Sequence, residues 1–75
     1  MRTLIKEALK KKYEGVIAEC HANIEIYMRN SVGIGEHPDI ILAIDQQLAL
    51  MVEARDKLAE LDTFKWVNTA LQNVQ

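Results

Sequence analysis

The chain has 75 residues, 49% of them hydrophobic and 27% charged, with a formal net charge of −2. That length makes one domain at most, and the slightly acidic balance provides no global attraction for nucleic acid or for an acidic membrane surface. A single cysteine cannot close an internal disulfide, and two histidines beside it are thin material for a metal site, so neither a disulfide scaffold nor a metal centre is expected.

Cores of this size supply only a few kcal/mol, and small chains compensate with disulfides, metals or oligomerisation. Here oligomerisation is the route that remains. No apolar run is long enough to span a bilayer, and the opening residues carry charge without a signal-peptide apolar core. The expectation is a soluble cytoplasmic protein with a reduced thiol.

The first element predicted is a helix over residues 3–30, capped by Thr3. Ile5, Leu9, Tyr13, Val16, Ile17, Cys20, Ile24, Tyr27 and Met28 recur at spacings of three and four, which is one face of a helix. Gly15 weakens it by roughly 1 kcal/mol against alanine. With Ala8, Ala18 and Ala22 it forms a stripe of small side chains, read either as a second contact surface or as an exposed, imperfect helix face.

Residues 31–37 form the predicted loop that folds two helices together. Gly33 and Gly35 suit the left-handed cap that ends a helix. Pro38 suits the first position of the next, His37 precedes it as the N-cap, and Asp39 places a carboxylate where the helix dipole favours one. The Gly-x-Gly fragment follows a helix and lacks the third glycine and lysine of a phosphate loop, so it reads as a plain turn.

The second helix is predicted over residues 38–62. Ile41, Ile44, Leu48, Met51 and Leu58 form one stripe, and Ile40, Ala43, Leu50, Ala54 and Leu61 form another. A helix with one neighbour needs an apolar face of only about 100°. The excess predicts self-association through Ile40, Ala43, Leu50, Ala54, Leu61 and Trp66. Residues 63–72 either form a short third helix, started at Asp62 or Thr63, or continue the second.

Antiparallel pairing about the turn sets residue i near 68 − i, so that Ile24 meets Ile44, Cys20 meets Leu48 and Ile17 meets Met51. Residues 1–14 carry a net charge of +3 and residues 53–62 one of −2, so the basic end of one helix lies beside the acidic end of the other. The fold class expected is therefore all-α: an antiparallel helical hairpin that dimerises into a four-helix bundle, with Ile17, Cys20, Ile24, Ile44, Leu48 and Met51 at its core.

Candidate chemistry is sparse. Cys20 lies on the apolar stripe, where a free thiol behaves as a small hydrophobe. His21 points about 100° away, and no base or metal-ligand spacing accompanies either residue. Arg2, Arg29 and Arg55 are scattered, so no catalytic residue, cofactor or small-molecule substrate is assigned. Glu36, His37 and Asp39 cluster at the turn, where capping and dipole duties account for them. Lys6, Lys10 and Lys12 are the residues a nucleic-acid contact would use, but the overall charge is negative and no recognition motif is present. A solvated face paired with the second helix is the better reading.

The stretch Val32-Gly33-Ile34-Gly35-Glu36-His37-Pro38-Asp39-Ile40, followed by Asp45-Gln46-Gln47-Leu48, resembles a segment of small uncharacterised helical proteins encoded by T-even-like tailed phages, marine ones included. The likeness covers the loop and the first half of the second helix, roughly a third of the chain. It implies no activity. It is consistent with a phage accessory protein made in the host cytoplasm, with a phage or host protein as partner. The function expected is a non-catalytic structural or interaction module. The alternative is a small regulator that binds nucleic acid or host machinery through the basic half of the first helix.

Overall fold

The structure, a computed structural model, describes residues 2–30 and 37–64. They form two helices, α1 (Arg2–Asn30) and α2 (His37–Thr63), packed against each other as a hairpin. The loop glycines and Trp66 lie outside the described residues, as does most of the segment 63–72. Thr3, expected as a cap, sits inside the first turn of α1, and His37 is the first residue of α2. Asp39 occupies the first turn of α2, as the dipole favours.

The lower end of α2 is closed by its own side chain. The Thr63 hydroxyl donates to the carbonyl oxygens of Ala59 (3.2 Å) and Glu60 (3.3 Å), and the Phe64 amide donates to the Glu60 carbonyl at 2.7 Å. Of the carbonyls that a helix end leaves unpartnered, that of Glu60 is thus satisfied from within. Whether Asp62 or Thr63 also starts a third helix concerns residues outside the described ones.

Two contacts fix the relative direction of the helices. Asn23 Nδ2 donates to Gln47 Oε1 at 3.1 Å, and the Lys57 ammonium lies 5.5 Å from the centre of the Tyr13 ring. As one number rises the other falls, so the pairing is antiparallel. In both pairs the residue numbers total 70, an offset of two from the turn-centred expectation of 68.

The burial pattern gives the seam. On α1 the half-buried and buried positions include Lys6, Leu9, Tyr13, Val16, Cys20, Asn23 and Tyr27, and on α2 they include Ile40, Ile44, Gln47, Met51, Ala54, Leu58 and Leu61. Both sets step strictly by three and four, the 3.5-residue repeat of a two-stranded coiled coil. Ile17, Ile24 and Ala43 flank it, half-buried. Among the described residues the buried side chains are few: Cys20, Met51, Ala54 and Leu61 make up the core.

The expected core is corrected at one place. Leu48 is 48% exposed and does not face Cys20. The true seam runs between the two apolar stripes read from the sequence, taking Ile44, Met51 and Leu58 from one and Ile40, Ala54 and Leu61 from the other. Gln47, a polar residue, holds the position on the seam that Leu48 was expected to hold.

Candidate interaction surface

Closing the hairpin leaves α2 with a second apolar side. Ile41 is 68% exposed, Leu48 48% and Val52 56%, and Leu42 and Leu50 are exposed with them. Shifting each seam position of α2 from 40 to 58 by one residue gives Ile41, Asp45, Leu48, Val52, Arg55 and Ala59. One residue is about 100° of helix rotation, so these six residues lie beside the seam from 41 to 59, and the last seam position, Leu61, adds Asp62 beyond them. All six are exposed. The same shift on α1 gives Glu7, Lys10 and Glu14 in its first half and Ile17, His21, Ile24 and Met28 in its second. In an antiparallel pair the two shifted stripes fall on one face of the hairpin, whose loop-proximal half is mostly apolar but carries His21 and Asp45.

The residues expected to self-associate divide between two environments. Ala54 and Leu61 are buried within the hairpin's own seam, and Ile40 and Ala43 are half-buried there. Leu50 is exposed at 47%, on the flank opposite Leu48. The surface left open to a second chain is therefore centred on Ile41, Leu48 and Val52. Sequence reasoning assigned Ile41 and Leu48 to the intrachain stripe because it sought apolar residues alone. The signal that finds the seam is the unbroken three-four spacing that passes through Lys6, Asn23 and Gln47.

The basic half of α1 does not form one face. Lys6 is half-buried and, with Lys10, lines a groove of about 200 Å³ that also carries Glu14, Leu58, Leu61 and Asp62. Lys12 is exposed, two residues or about 200° round the helix from Lys10. Lys6 and Lys10 thus look across at the acidic end of α2, though among the described residues no ion pair joins the two helices. The ion pairs present lie within helices, Arg29–Glu25 at 3.4 Å and Lys57–Glu53 at 3.2 Å, and both are exposed.

A second groove, shallow and of about 150 Å³, is lined by Tyr13, Lys57, Glu60, Leu61 and Phe64. Both grooves fall below the ~300–1,000 Å³ typical of small-molecule sites. Among the described residues no group of three or more His, Cys, Asp or Glu side chains is placed to hold a metal ion. Cys20 is 2% exposed, which withholds its sulfur from solvent. No described helix is long and apolar enough to cross a membrane. No family model matches the chain, and no curated protein or solved structure is significantly similar to it.

Proposed function

We propose that this chain is a non-catalytic structural or protein-interaction module that self-associates through α2, two hairpins forming a four-helix bundle. The observation that carries the reading is the row Ile41, Leu48 and Val52, which stays exposed after the hairpin has closed. Burying apolar area is worth roughly 25 cal/mol per Å², and a two-helix layer with four buried side chains has little other core to draw on. A second layer of helices, crossing the first at about 20°, is how bundles cover such a stripe.

The resemblance of the loop segment to small phage proteins fits an accessory role of this kind in an infected cell's cytoplasm, with a phage or host protein docking on the outer surface. The regulator reading is less well supported, because Lys6 and Lys10 share their groove with Glu14 and Asp62. Light scattering coupled to size exclusion tests the proposal. The expected mass is about 17 kDa, twice the 8.6 kDa of one chain, held on dilution into the low micromolar range. A folded species of 8.6 kDa at all concentrations removes the self-association reading and marks the Ile41–Leu48–Val52 row as a docking site for a different protein.

A further inference from the structure

We infer that the second copy lies with its α2 antiparallel to the first α2, the two-fold axis passing at the level of residue 50 and the loops at opposite ends. This rests on the self-association proposed above and specifies its geometry. The argument is charge complementarity within the exposed stripe. Its six positions, 41, 45, 48, 52, 55 and 59, are symmetric about 50. Reversed upon itself, the stripe sets Ile41 against Ala59, Asp45 against Arg55 and Leu48 against Val52, each pair occurring twice.

Asp45 and Arg55 are otherwise unexplained. They are the two charges between 41 and 59, where the other four residues of the row are apolar. Neither has an opposite charge three or four residues away on α2, and neither has an ion-pair or hydrogen-bond partner among the described residues. Ten residues apart, they are about 15 Å distant along one helix, too far to pair within a chain. Across an isologous interface each finds the other, and the pair serves both copies. Polar residues at single seam positions set orientation and register in coiled coils at some cost in stability, and between the two copies of this dimer Asp45 and Arg55 take that place. A dimer with both loops at the same end stacks α2 on α1 of the second copy and leaves Asp45 and Arg55 apart.

The experiment uses two single variants of the full chain. Asp45→Arg faces its own copy with Arg against Arg, and Arg55→Asp faces its own with Asp against Asp. Each alone is expected to weaken dimerisation by at least roughly 100-fold, since two ion pairs become two like-charge contacts. Mixed in equal amounts, the variants recover both ion pairs, and native mass spectrometry of chains with different tags is expected to show heterodimers in excess of either homodimer. The double variant D45R/R55D is expected to regain the wild-type homodimer. Because the mixture restores what each variant lost, failure to fold does not mimic the result. A wild-type dimer whose single variants associate unchanged, or whose mixture gives no heterodimer, overturns this geometry and leaves self-association standing. A wild-type chain that is monomeric throughout overturns both.

Discussion

Single residues in this hairpin act mainly by whether the seam claims them. Gly15 is not claimed. It lies on the outer side of α1, and a Cβ added there meets nothing within 4 Å. Ala8, Ala18 and Ala22 are exposed too. The small-residue stripe that spacing alone picked out therefore faces open space within the hairpin, and the glycine brings only its entropic cost to the helix. Gly15→Ala is expected to stabilise the protein by about 1 kcal/mol, which for a chain of this size raises the thermal midpoint by roughly 4–8 °C. Circular dichroism melts of the two proteins check it. A loss of stability means that another helix approaches Gly15 closely in solution.

At the scale of the elements, the hairpin direction and its two long helices were legible from apolar spacing, from the stop near Asn30 and from the Pro38-Asp39 start. The phase of the seam was not. Ten of the thirteen residues from 40 to 52 are apolar, so hydrophobicity there cannot say which third of the helix faces α1. The polar members decide it. Asn23 and Gln47 meet on the seam, part-buried and hydrogen-bonded to one another at 3.1 Å. Such a pair contributes little net energy but is costly to break on one side only. Asn23→Leu alone leaves Gln47 Oε1 without its donor and is expected to cost about 1 kcal/mol. The double variant N23L/Q47L is expected to match or exceed the wild type, because apolar replacement of both partners removes the desolvation penalty. Urea unfolding of the four species in a double-mutant cycle measures the coupling directly. Additive effects of the two substitutions contradict a shared bond.

For the whole molecule, stability and assembly are one question. A two-helix layer whose buried core is Cys20, Met51, Ala54 and Leu61 keeps most of its large apolar side chains in contact with water. If a second copy covers Ile41, Leu48 and Val52, association is linked to folding, and mass action makes the thermal midpoint rise with protein concentration. The wild-type midpoint is expected to climb by several degrees over a hundredfold concentration range. Leu48→Glu places a carboxylate at the centre of the exposed stripe, where it costs little in the isolated hairpin because about half of Leu48 already faces solvent. Buried between two copies, the same carboxylate lacks a partner and carries a heavy desolvation penalty. That variant is expected to melt lower than the wild type and at one temperature whatever its concentration. Should the wild type itself melt independently of concentration and L48E match it, the hairpin folds on its own two helices, and the apolar stripe is surface that folding does not need.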